Sequence, residues 1–271
     1  MRGAPRTLPI RPPAEPHLGP DGRRATVCRV EANSEAIVRL CWARALGLPD
    51  DALAAPGSQI VVATPDSAPL RILSLFDSSA IVGPAWMVEQ IADRVGPSLA
   101  TGEWDLAAAL SALGVGAREM AREVLSYRDE YALPTASAED EDEGPLVSHD
   151  PGDLETLLSR CAVDDVNDAD LRGLDIAFTM LDDHEHRPLA AAAYRIEHGL
   201  LADVRTLTHP DHRSQGHAVL LAELALEDAL DAGLIAQGRH HPASVAGGRL
   251  ASALGFTTAG SIVVLAAGAS D

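Results

Sequence analysis

The sequence contains no lysine, since all 21 of its basic residues are arginine. A Schiff-base lysine and a phosphate-loop lysine are therefore excluded. Cysteine is nearly as scarce. Cys28, Cys41 and Cys161 are odd in number and none stands in a CxxC pair, so neither a disulfide framework nor a zinc knuckle is encoded. Aromatic residues make up 3% of the chain, and Trp42, Trp86 and Trp104 all fall in its first half, where core packing is their simplest role. No apolar run approaches the ~18 residues of a membrane helix, and the opening residues lack the apolar core of about 7–15 residues found in a secretory signal. A cytoplasmic protein without a membrane partner is expected.

What is present is 271 residues, 46% of them hydrophobic, enough for one large or two ordinary globular domains. The formal net charge of −19 is concentrated. Residues 134–171 hold 12 acids against one arginine, centred on AEDEDEG at 138–144. Such a run is a solvated linker that repels phosphate backbones, and no basic stripe accompanies it, so nucleic acid is not an expected partner. The HEH of DDHEHR sits in a turn too tight for its imidazoles to converge on one ion, and no metal is expected.

Four segments follow. Residues 1–26, rich in Pro, Gly and Arg, read as a disordered arm, 27–133 as a smaller α/β accessory domain, 134–143 as the acidic linker, and 144–268 as a second α/β domain with a mixed sheet. In the first domain a helix is predicted after a cap at Asn33 or Ser34, ending at Gly47. Strands follow at Gln59–Ala63 and Leu70–Leu75, and SSAIVGPAWMVEQIADRV reads as strand, turn and helix. Asp105–Leu113 and Ala117–Tyr131 are predicted helices. In the second domain the order is strand (Pro145–His149), helix from Pro151, helix (Asp165–Leu171), strands Ile176–Leu181, Leu189–Ile196 and Leu201–Thr208, and a long helix from His217. A short strand Leu234–Gly238, a helix Ser244–Leu254 and strands at Phe256 and Ser261–Leu265 complete it.

The stretch with chemical content joins the strand ending at Thr208 to the long helix. Arg213-Ser214-Gln215-Gly216-His217-Ala218 matches RxxGxA at that junction. The turn leaves N–H groups of the helix start without partners, and these together with the helix dipole can hold a pyrophosphate. Gly216 permits close backbone approach, Ala218 keeps the first turn open, and Arg213 adds positive charge.

TLTHPDHRSQGHA resembles the fourth strand, VxPxxRxxGxG/A loop and third helix of the GNAT superfamily of coenzyme A-dependent N-acyltransferases, and SVAGGRLASALGF is similar to that family's later helix ending in LGF. The resemblance covers about 144–268. It implies a gap between the fourth and fifth strands that takes acetyl-CoA or another acyl-CoA as co-substrate. Leu207 and Thr208 then become pantetheine contacts, Arg213–Ala218 the pyrophosphate cradle, and Ser244 a contact where the family often has Asn. It also implies a small-molecule primary amine as acceptor. Two positions depart from the pattern. Thr208 replaces a usual Val, and Ala251 stands where a Tyr often protonates the leaving thiolate. For the base, Asp203 is the only acid of LLADVRTLT, although one residue nearer Pro210 than the family's Glu, a shift that reverses the strand face. His240 and His241 follow the next strand and titrate in the useful range.

The expected function is acyl transfer to an amine. The alternatives are a non-catalytic acyl-CoA-binding module and, against the acidic charge, a tRNA-dependent aminoacyl transferase. The 27–133 unit is expected to cover the acceptor side. It has the strand-then-helix order of a degenerate half of the same kind, without an RxxGxA loop. A homodimer stays open.

Overall fold

The computed structural model describes residues 30–91, 106–114, 116–131, 145–174 and 176–266. The expected arm at 1–26 and linker at 134–143 lie outside the described residues, as do Cys28 and Trp104. Helix α1 (Ala32–Ala45) leads to strands β1 (Gln59–Thr64), β2 (Leu70–Leu75) and β3 (Ser78–Pro84). Helix α2 is described over 85–91, and α3 (Leu106–Leu113) and β4 (Arg118–Arg128) complete the first half. The second half runs β5 (Val147–Ser148), α4 (Pro151–Arg160), α5 (Val163–Ala169), β6 (Ile176–Leu181), β7 (Pro188–Glu197) and β8 (Leu201–Thr208). It continues with α6 (His217–Asp231), β9 (Ile235–His240), α7 (Val245–Ala253) and β10 (Thr257–Ala266). No helix among the described residues is long and apolar enough to cross a membrane.

All ten strands belong to one mixed sheet, ordered β1-β3-β2-β10-β4-β9-β8-β7-β6-β5. Only β1 with β3 and β8 with β9 run parallel. The two halves of the chain are thus not laid side by side as separate sheets. β4, from the first half, lies between β9 and β10 of the second, and β10 in turn pairs with β2.

Side-chain alternation gives the sheet two apolar faces. On one, α1 packs on Leu73, Leu75, Leu125, Tyr127, Leu201 and Ile262, and α4 with α5 on Ala191, Ala193 and Leu207. On the other, α6 covers Ala190, Ala192, Tyr194, Ala202 and Val204, while α2 and α3 cover Leu70, Ile72, Ile81, Val263 and Leu265. The all-alanine run at 190–193 is fully buried on both faces, which lets helices approach closely from each side.

The predicted helix Ala117–Tyr131 is instead β4. Its Arg, Glu, Ala and Met content favours helix, yet this propensity is worth only a few tenths of a kcal/mol, roughly, per residue. Two strands hydrogen-bonded along its edges outweigh that preference. α1 starts at Ala32 with Glu31 flanking it, so neither Asn33 nor Ser34 is the cap. The expected strands at Phe256 and Ser261–Leu265 are one strand, β10.

Gly260 fixes how β10 meets β2. A Cβ there would lie 1.9 Å from the Ser74 carbonyl oxygen and 3.0 Å from Leu75 Cα, both backbone atoms. Gly260→Ala is therefore expected to lower stability by at least about 1–3 kcal/mol, the range for overpacking. Urea denaturation measures it, and an unchanged midpoint would contradict this β10–β2 register.

Candidate active site

The pairing of β8 with β9 starts at Leu201↔Ile235 and ends at Val204↔Gly238. β8 continues to Thr208 along β7, whereas β9 continues to His240 along β4. The strands therefore part after Val204 and Gly238, leaving the rest of β8 with an open edge.

Strand parity shows which backbone groups line that edge. The His209 N–H donates to the Leu189 carbonyl on β7, and the Ile235 N–H to the Leu200 carbonyl. Odd-numbered residues of β8 consequently turn their backbone groups to β7, and even-numbered ones to β9. Thr206 and Thr208 face the gap. Leu207 does not, because its backbone bonds to β7 and its side chain is buried against α4. Of the two pantetheine contacts expected from sequence, only Thr208 is thus on the open edge. Its carbonyl is also reached, at 3.4 Å, by Arg213 Nε. Thr206, which the sequence did not single out, is the clearest free backbone position.

Below the gap the chain makes a 3-10 turn at Pro210–His212, in which His209 Nδ1 accepts from the Asp211 N–H at 3.3 Å. Two left-handed residues then follow, Ser214 (φ 62°) and Gly216 (φ 86°), the second flanking the start of α6. No side chain caps α6, and the first intrahelical bonds come from Val219 and Leu220 to the Gly216 carbonyl. The His217 and Ala218 N–H groups are left free at the positive end of a 15-residue helix. A Cβ built on Gly216 would meet nothing within 4 Å, so the concavity is open. Arg213 is held by Asp165 of α5 at 2.7 Å. Both are partly exposed, so this bond orients Arg213 more than it stabilises the fold. Gln215 Oε1 lies 3.1 Å from His217 Nε2. Burial and nearby His212 keep the His217 imidazole below its usual pKa. The loop thus offers backbone donors, one guanidinium and room, the set that a diphosphate requires.

Asp203 has a different setting from the one expected of a base. It is 2% exposed, and its carboxylate accepts from Arg239 Nε (2.8 Å), Arg239 Nη2 (2.5 Å) and Arg205 Nε (3.0 Å). Burial alone would raise its pKa, but Arg239 and then Arg205 overcome this and hold it below the ordinary carboxylate range. Arg239 also bonds Glu197 at 3.1 Å, and Glu123 lies 3.6 Å from it. Gln237 donates to Glu197 and accepts from the buried Tyr127 hydroxyl at 2.8 Å, which itself accepts from Trp42 Nε1 at 2.5 Å. A polar chain thus runs from α1 to the root of the gap. Sequence reasoning missed Arg239; the signal was an arginine inside IAQGRH, which requires a carboxylate partner when largely buried.

In this setting the Asp203 carboxylate is taken up by two arginines and held in its charged form. Its lowered folded pKa means its stabilising contribution is complete above the unfolded value of about 3.9 and disappears as pH falls through the lower folded value. The stability difference between wild type and Asp203→Asn is therefore expected to be constant above about pH 5 and to shrink below about pH 4. Acid titration of unfolding checks this. A difference that varies around neutral pH would point to a raised pKa instead.

The remaining expected groups are placed as follows. Ser244 Oγ accepts from the Gly247 N–H at 3.1 Å and caps α7, so that lone pair is spent. His241 is exposed, 3.6 Å from Glu119. Ala251 lies on α7, and Tyr194 is buried with its hydroxyl bonded to Asp228, so it cannot substitute for the family's tyrosine. Burial pushes the Cys41 thiol up to about 11, unsuited to a nucleophile. An open cleft of ≈ 330 Å³ lies on the α1 side, with Trp42, Arg195, Glu197, Leu201 and Arg239 in its walls.

No family model matches the sequence, and no curated protein does. Solved structures of GNAT acetyltransferases are similar to about 60% of the chain. A GNAT-family protein of Novosphingobium aromaticivorans has a TM-score of 0.43 at 17% identity, covering 56% of this chain and 68% of its own. A GNAT-family acetyltransferase of Colwellia psychrerythraea has 0.41 at 17%, covering 60% and 62%. A tandem GNAT protein from the clavulanic acid biosynthesis pathway has 0.40 at 16%, covering 61% and 59%. In the last two cases this chain spans less than two thirds of the other protein.

Proposed function

We propose that the chain is an acyl-CoA-dependent N-acyltransferase acting on a primary amine of a small molecule, with acetyl-CoA as the expected donor. The observation that carries this reading is the parting of β8 and β9 directly above a glycine-started, uncapped helix. An extended pantetheine arm needs a strand edge with unmade hydrogen bonds, and Thr206 and Thr208 supply one. The diphosphate needs donors at the end of that edge, and Arg213, Gly216, His217 and Ala218 supply them.

When bound, acyl-CoA supplies a thioester whose carbonyl carbon accepts an amine. The protein's contribution is positioning and charge stabilisation. Backbone N–H groups at the gap polarise the carbonyl, and holding donor and amine together replaces a bimolecular encounter. The acceptor side is assigned to the first half of the chain, whose helix α1 walls the open cleft on that face of the sheet. The Asp203–Arg239 pair keeps the root of the gap rigid.

A second reading is an acyl-CoA-binding module without turnover, and the observation favouring it is Ala251 in place of a proton donor. Thiol release from acetyl-CoA, measured against a panel of primary amines, separates the two. Amine-dependent release supports the transferase. Saturable binding with no release supports the module, and no binding removes both.

A further inference from the structure

Extending the β8–β9 register two residues past its last rung would bring Thr206 opposite His240. Because the strands part there, His240 stands across the gap from the free backbone of Thr206, its own strand carried on by Val124 of β4. Gly238, two residues earlier, faces Phe256 on the α6/α7 side of the sheet, and alternation puts the His240 side chain on that side too.

α7 is cleared to receive it. A Cβ at Gly247 would lie 2.6 Å from His240 Cβ, and one at Gly248 would lie 3.7 Å from His240 Nε2. Gly248 and Ala251 are three residues apart and share a helix face. The imidazole thus reaches the side of α7 on which Ala251 offers no hydroxyl. The half-buried ring makes no hydrogen bond to any described residue.

The charged groups around it are few. On β4 the nearest on the same face is Arg122, two residues from Val124, and on α7 Arg249 is the sole charged residue. The adjacent His241 turns to Glu119. None forms an ion pair with the His240 ring. Burial lowers its pKa from the usual 6.5, so at neutral pH it is an uncharged imidazole with a nitrogen free to accept a proton.

We propose that His240 carries the proton from the attacking amine to the departing thiolate, doing in two transfers what a separate base and a hydroxyl on α7 would do. This rests on the acyl-CoA reading above. The amine lone pair forms the C–N bond to the acyl carbon, and the C–S bond breaks with its electrons on sulfur. The proton lost by nitrogen passes to the free ring nitrogen of His240 and from there to sulfur, giving amide, free thiol and a neutral imidazole again.

The test combines kinetics with a readout that needs no turnover. His240→Gln is expected to bind acetyl-CoA within about 3-fold of wild type while its transfer rate falls by about 10²-fold, the lower end for general acid–base catalysis. The wild-type rise in rate through a pH below 6.5 disappears with it. Added imidazole partly restores His240→Ala, which a packing defect would not allow. In parallel, the His240 ring resonance is titrated by NMR: CoA with its thiol shifts the midpoint, and desulfo-CoA, which lacks the sulfur, does not. If wild type binds CoA but the midpoint ignores the thiol, or His240→Gln keeps its rate, or the variant loses CoA binding, the shuttle is overturned while the acyl-CoA reading stands. If wild type binds no acyl-CoA, that reading fails first.

Discussion

Replacing Gly216 by glutamate is expected to weaken acetyl-CoA binding by about 10²-fold or more while leaving the protein folded. Two effects act together. At φ 86° an L side chain strains the backbone, at roughly 1–3 kcal/mol. In addition, a carboxylate enters the concavity where the His217 and Ala218 N–H groups would receive a diphosphate, and like charges in that position repel. The space beyond Gly216 is empty to 4 Å, so the side chain displaces ligand rather than protein. Gly216→Ala separates the terms, because it keeps most of the strain and adds no charge and only a methyl group, and a loss of several-fold is expected. Calorimetry measures both, with circular dichroism to verify folding. Equal affinity in Gly216→Glu and wild type would place the diphosphate elsewhere.

The second large effect concerns stability. Arg239 is the hub of the buried charge network, bonded to Asp203 and Glu197 and 3.6 Å from Glu123. Arg239→Met removes one cation, leaving Asp203 and Glu123 with Arg205 and Glu197 with Gln237. Breaking a buried pair from one side costs about 3–5 kcal/mol, much of it the burial of the uncompensated partner. Neutralising Asp203 in the same chain removes part of that penalty, so Arg239→Met with Asp203→Asn is expected to be less unstable than the sum of the single variants. Strict additivity in urea denaturation would show that the two groups do not interact in solution.

The sequence and the structure diverge for identifiable reasons. The order of elements from β5 to α7 is legible because punctuation marks it: Pro151 opens α4, Gly216 starts α6 and Gly233 (φ 75°) follows its end. β4 is not legible in the same way. REMAREVLSYR carries helix formers, and what makes it a strand is pairing with residues more than 100 positions away in β9 and β10. The single sheet across both halves depends on this segment, inserted between β9 and β10, and on the pairing of β10 with β2. At the site, the RxxGxA junction is local and was readable, whereas the fate of Asp203 depends on Arg239, 36 residues distant. Thr206 escaped notice because parity along β8 is settled by its β7 and β9 partners and not by its own sequence.

Amide hydrogen exchange on the whole chain, with and without acetyl-CoA, tests the central claim most directly. The parted strands and the helix start predict new protection confined to 206–208 and 213–220, with saturation at one CoA per chain. Binding without protection there, or protection centred on β1–β3 and α2 instead, would contradict the assignment of this gap as the acyl-CoA site.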